Sequence, residues 1–159
     1  MMGLEKTTPL FFYGHDPKRH GENACFSNWF FVNFKDKNGV IFLNTEQYMM
    51  YHKAILNNGS PKICKILGRK VKNFNEKIWE SERVKIVTNG CLLKFSQNKN
   101  ILKILLNTNN KLLVEASPYD KIWGIGMSIK KAQKLPQNKW NGLNLLGKCL
   151  MDVRHILKK

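Results

Sequence analysis

Three carboxylates in this chain stand where a carboxylate is costly. Only 11 residues are acidic against 27 basic ones, so an acid set among apolar neighbours is a candidate for chemistry. Glu46 precedes Tyr48-Met49-Met50-Tyr51, Glu115 follows Leu112-Leu113-Val114, and Asp120 leads into Ile122-Trp123. Each also has a plainer reading. Glu46 falls in the first turn of a helix, where an acid favours the dipole. Glu115 suits a structural ion pair or a cap, and Asp120 suits an Asx turn. An acid in a first helical turn is expected to stay ionised unless burial overrides the dipole. In that form it serves as a general base or as a stabiliser of developing positive charge.

Other side chains extend the pattern. Met50 and Lys53 share the helical face of Glu46, with Lys53 about 10 Å further along the axis. Glu46 and Lys53 are therefore placed to bracket one ligand, with a cation-stabilising end and an anion-binding end; the plainer reading of Lys53 is a solvated lysine. Trp79 and Trp123 are able to stack a planar base, although Trp79 at helical spacing equally suits a core. Trp123 precedes Gly124-Ile125-Gly126, where two glycines free the backbone to approach a ligand, a weak signal alone. Arginine is scarce, so Arg69, Arg83 and Arg154 mark positions for bidentate or phosphate contacts, or for pairing on helix surfaces.

No nucleophile elbow, P-loop, HExxH or dinucleotide fingerprint occurs. The cysteines at 25, 64, 91 and 149 make no CxxC pair and no zinc knuckle with the four histidines. They are expected to be reduced thiols, and neither a metal nor a cofactor is expected.

These groups need elements to position them. Leu10-Phe11-Phe12-Tyr13, residues 29–34 and residues 40–43 read as short strands, and Lys37-Asn38-Gly39 turns the last two into a hairpin. Asn44 or Thr45 caps a helix that runs to about Asn57. Ser60-Pro61 opens a short helix that Gly68 ends. Asn75 opens a long helical stretch to about Gln97, and a shorter helix spans 99–107. Residues 111–115 form a strand leading into the loop 117–126. Leu143, Leu146, Leu150, Val153 and Leu157 make one apolar stripe, better suited to a core face than to a dimer seam. With 159 residues and no linker or repeat, the expectation is a single domain over 1–159. Its class is α+β, mainly α, with a small β-hairpin region near the start.

Composition narrows the function. Hydrophobic content of 43% excludes an intrinsically disordered chain. The net charge of +16 suggests a polyanion partner, yet lysine supplies 23 of the 27 basic residues and asparagine occurs 18 times. Both use A/T-rich codons, so codon bias is able to produce this charge without a polyanion partner, and base readers favour arginine. No apolar run approaches 18 residues and the N-terminus lacks a signal-peptide core. Gly3 lies one position too late for myristoylation. The expectation is a soluble cytoplasmic protein without a membrane partner.

Four ordered blocks carry a resemblance. They are Thr45-Glu46-Gln47-Tyr48-Met49-Met50-Tyr51-His52-Lys53-Ala54; the WExxR segment from Trp79 to Arg83; Leu113-Val114-Glu115-Ala116-Ser117-Pro118-Tyr119-Asp120-Lys121-Ile122-Trp123-Gly124-Ile125-Gly126; and Asn144-Leu145-Leu146-Gly147 with Leu150-Met151-Asp152-Val153-Arg154. From about Phe11 to the C-terminus the chain resembles the NADAR, or YbiA-like, family. The resemblance implies a compact, mainly helical fold and N-glycosidase activity. One branch of the family hydrolyses ribosyl–amine bonds of early riboflavin intermediates; another removes ADP-ribose from guanine. It implies Glu46 as the catalytic carboxylate, with Asp120 acting beside it. It further implies Tyr48, Lys53, Arg69, Trp79, Trp123 and Gly124 as substrate contacts. The implied partner is a small ribosylated base, with nucleic acid entering only as an ADP-ribosylated substrate or through non-specific charge. The Ser-Pro-Tyr-Asp and Gly-Ile-Gly segments look closer to the wider family than to the bacterial riboflavin-type enzyme.

Overall fold

In the computed structural model, residues 8–56 and 74–159 are described. The expected short helix from Ser60 to Gly68, together with Cys64 and Arg69, lies outside them. Strand β1 (Leu10–Phe12) is followed by a one-turn helix α1 (Pro17–His20) and a 3-10 turn (Glu22–Phe26). Strands β2 (Phe34–Lys35) and β3 (Ile41–Phe42) form the expected antiparallel hairpin, with only two residues a side. Residues 29–33 are irregular rather than strand, although Val32 N–H still reaches the Leu43 carbonyl at 3.0 Å. Helices α2 (Thr45–Leu56), α3 (Glu76–Ser96) and α4 (Lys99–Asn107) follow, then strand β4 (Leu113–Glu115), the short helix α5 (Ile129–Ala132) and α6 (Leu145–Leu157).

Helix α3 is the centre, and both α2 and α6 pack against it. Its buried positions include Trp79, Val87, Cys91 and Phe95, which meet Met49 from α2 and Cys149, Leu150 and Val153 from α6. The α6 stripe is thus a core face, as its spacing implies, except that Leu143 precedes the helix and is half-exposed. A second cluster of Val114, Ala116, Ile125, Met127 and Ala132 lies on the other side of β4. Cys25, Cys91 and Cys149 are free and buried, and burial pushes the Cys25 and Cys91 thiols up to about 12. Among the described residues no helix is long and apolar enough to cross a membrane.

Strand β1 pairs in parallel with β4, Leu10 opposite Leu113 and Phe12 opposite Glu115. Helix α6 packs close against this pair, because Gly147 leaves no side chain between it and the Leu113 carbonyl. Gly147→Ala is expected to cost about 1–3 kcal/mol by overpacking. Urea unfolding checks this; an unchanged midpoint would show that α6 stands off β4.

Candidate active site

The start of α2 is fixed from three directions. Asn44 Oδ1 accepts the Gln47 N–H at 2.8 Å, and Gln47 Oε1 reaches back to the Leu43 N–H at 2.8 Å. This reciprocal cap makes Asn44 the N-cap. The Glu46 N–H donates to the Asn28 carbonyl at 2.9 Å. The neighbouring Ser27 carbonyl accepts from the fully buried Lys94 Nζ at 3.0 Å. Lys94 lies over the Phe30 and Phe95 rings, and burial pulls its ammonium down to about 8. Sequence reading missed Lys94, because nothing in its neighbours separates it from 22 other lysines.

Glu46 is not the plainly ionised acid that its place in the first turn implies. Burial pushes its carboxyl up to about 7, the negative charge of Asp120 adds to this, and Lys53 opposes it. Desolvation outweighs the dipole here, since a first-turn acid gains only about 0.3–1 kcal/mol from it when exposed.

Asp120 folds the Asx turn and is charged toward the site as well. Its Oδ1 accepts the N–H groups of Ile122 and Trp123, both at 2.8 Å, while Ser117 Oγ accepts the Asp120 N–H at 3.2 Å. Glu115 follows strand alternation: Val114 faces the small cluster, so Leu113 and Glu115 face the helices. Its N–H donates to Asn144 Oδ1 at 3.0 Å, and its carbonyl accepts the Ile125 N–H at 3.0 Å. An ion pair does not explain Glu115. Burial pushes its carboxyl up to about 8, and the charges that add to this, Asp120 and Glu46, are both negative. Helix α2 and the strand–loop unit therefore bring three carboxylates within electrostatic reach of one another.

The other candidates divide. Lys53 Nζ lies 4.6 Å from the Phe74 ring centroid and 5.0 Å from that of Trp79, and its charge reaches Glu46. Trp79 is a core residue, 5% exposed, whose ring carries that ammonium. Trp123 is partly buried against the main core and tied by its N–H to Asp120. Tyr48 points away from the carboxylates, about 200° around α2 from Glu46. It packs on Phe34 and Phe42, and its hydroxyl accepts from Asn89 Nδ2 at 2.7 Å. A cavity of about 570 Å³ on that side, between α2 and α3, touches Tyr48 and His52 but none of the three acids. Gly124 faces protein rather than open space: a Cβ there would lie 2.8 Å from the Glu115 carbonyl and 2.9 Å from that of Asp120. Arg154 is structural, donating through Nη1 to Thr108 Oγ1 at 2.7 Å and to the Lys111 carbonyl at 2.9 Å. Among the described residues, no three His, Cys, Asp or Glu side chains are grouped to hold a metal ion.

The sequence profile of the NADAR domain matches residues 11–158. The chain belongs to the NADAR family. Its relatives include N-glycosidase R617 of Acanthamoeba polyphaga mimivirus, 48% identical over 166 residues, covering 95% of this chain and 97% of that one. A chloroplastic riboflavin biosynthesis protein, PYRR of Zea mays, is 30% identical over 143 residues. That match covers 77% of this chain but 21% of the maize protein. The NMR structure of the E. coli protein YbiA superposes with a TM-score of 0.70 over 98% of this chain and 88% of that one, at 24% identity. The NADAR fold, mainly helical with few short strands, is thus the one the sequence implies.

Proposed function

We propose that this NADAR protein is an N-glycosidase that hydrolyses the ribosyl–amine bond of early riboflavin intermediates. The substrates are 5-amino-6-(5-phosphoribosylamino)uracil and its 2,5-diamino pyrimidinone precursor, and the products are ribose 5-phosphate and a free pyrimidine. Such a reaction clears reactive metabolites. The observation that carries the reading is the meeting of Glu46 with Asp120 beside Trp123 in partly apolar surroundings. The names of the mimivirus and maize relatives support the reaction class and the substrate in turn.

Breaking a C1′–N bond builds positive charge on the ribose ring, and fixed carboxylates stabilise it. Glu46, whose carboxyl burial pushes up to about 7, titrates near neutral pH, where its ionised form is accessible. In that form it takes the proton of the water that attacks C1′. Asp120, locked by two backbone N–H groups, adds negative charge beside the developing cation. Trp123 offers an indole face for the pyrimidine, and Lys53 offers an ammonium for the 5′-phosphate.

A second reading, hydrolysis of ADP-ribosyl-guanine, is favoured by the net charge of +16, which suits a substrate with two phosphates. Incubating the protein with each ribosylated base and following free base by chromatography is expected to show free pyrimidine from the riboflavin intermediates. Faster release of guanine would promote the second reading. Tight binding of ADP-ribose without turnover of either substrate would make the chain a binding module and end the enzyme reading.

A further inference from the structure

We infer that Glu115 is a second catalytic residue: the acid that protonates the departing nitrogen while Glu46 takes the proton of the attacking water. This rests on the N-glycosidase reading and adds to it a role that Glu46 is unable to fill in the same step. An amine leaves poorly as an anion, so cleavage needs a proton donor as well as a base. Glu115 Oε2 is fully shielded from solvent and has no hydrogen-bond partner among the described residues. Strand alternation aims the side chain toward the helices. The backbone is held at both ends, through Asn144 Oδ1 and the Ile125 N–H. Among the described residues, the groups that face it leave no counter-ion. Asp120 from the loop and Glu46 from α2 are both acids, β1 contributes Leu10 and Phe12, and no cation of the described residues is among the charges acting on it. A buried carboxyl in that setting is stable only with its proton on, and its rise to about 8 agrees.

The step balances. The Glu115 proton moves to the bridging nitrogen, the C1′–N electron pair leaves with that nitrogen as a neutral amine, and water oxygen bonds to C1′. The water proton passes to Glu46. Glu115 is left as the carboxylate and Glu46 as the acid, and proton exchange with solvent restores both. The productive form has Glu46 ionised and Glu115 protonated, and the pair has apparent values of about 7 and about 8. The profile of kcat/KM against pH is therefore expected to be bell-shaped with limbs near them.

Glu115→Gln keeps the shape and removes the transferable proton. It is expected to lower kcat/KM for the phosphoribosylamino-uracil by about 10²–10⁴-fold and to abolish the alkaline limb while the acid limb remains. Glu115→Asp, which keeps a carboxyl, should retain the alkaline limb at a reduced rate. Carbon-13 NMR of protein labelled at glutamate Cδ reads the Glu115 proton without turnover and is expected to show it protonated at pH 7. A Glu115→Gln rate near wild type, a lowered rate with the alkaline limb intact, or an ionised Glu115 at pH 7 would each overturn the inference. Absence of turnover by the wild type on every ribosylated base would instead remove the glycosidase reading.

Discussion

Glu46→Gln is expected to reduce hydrolysis of the ribosyl–amine bond by about 10²–10⁴-fold and to leave the fold intact. Glutamine keeps the volume and the helix turn, and it removes both the base and the negative charge nearest the reacting carbon in this scheme. The fold should survive because the carboxyl is a cost to it. Glu46 is raised from 4.5 to about 7 in the folded protein, so the native state binds more protons than the unfolded chain in that interval. Stability therefore falls as pH rises from about 4.5 to about 7. Removing the group removes that fall, and the variant should be at least as stable as wild type at pH 8. Steady-state kinetics with a thermal melt at that pH checks both halves. Near-normal turnover by the purified variant would take Glu46 out of the mechanism.

Gly124→Ala is expected to cost about 10²-fold in kcat/KM without touching a charged group. The added Cβ meets the backbone carbonyls of Glu115 and Asp120, at 2.8 and 2.9 Å, and neither is a flexible side-chain end. The Gly124 carbonyl is itself fixed by the Asn144 N–H at 3.0 Å, so the strain passes to the two acids. A displacement on the order of 1 Å at a reacting group is enough for a loss of that size. The melting temperature separates this from unfolding. A folded Gly124→Ala protein with wild-type kinetics would mean that the spacing of Glu115 and Asp120 does not set the rate.

The helices were legible because their signals are local. The cap at Asn44 or Thr45, the opening Asn75 and the α6 stripe all act within a few turns. The partnership of β1 with β4 was not, since no turn or spacing links Leu10 to Leu113. Residues 29–33 misled for a related reason: aromatic density is a strand signal, but here Phe30 packs against the core and Phe31 stays exposed without ladder partners. At the site, the three carboxylates stood out as costly. Their protonation did not, because a raised carboxyl depends on which charges the fold brings close. Glu115 shows the limit best. Its apolar approach residues looked like the setting for an ion pair, and only the neighbouring loop and helix reveal that the charges the described residues bring to it are negative. Parity with Leu113 along β4 was the available hint.

The β1–β4 pairing also governs when a working protein can exist. Leu10–Phe12 is synthesised roughly one hundred positions before its partner Leu113–Glu115 and the α6 segment behind it. The first strand must wait unpaired while β2 to α4 are made, and closing so long a loop is a late entropic step. Glu46 is synthesised long before Glu115 and Asp120, so the acid cluster assembles only in that closing event. A nascent chain thus lacks the assembled acid cluster until β4 and the loop after it have been made.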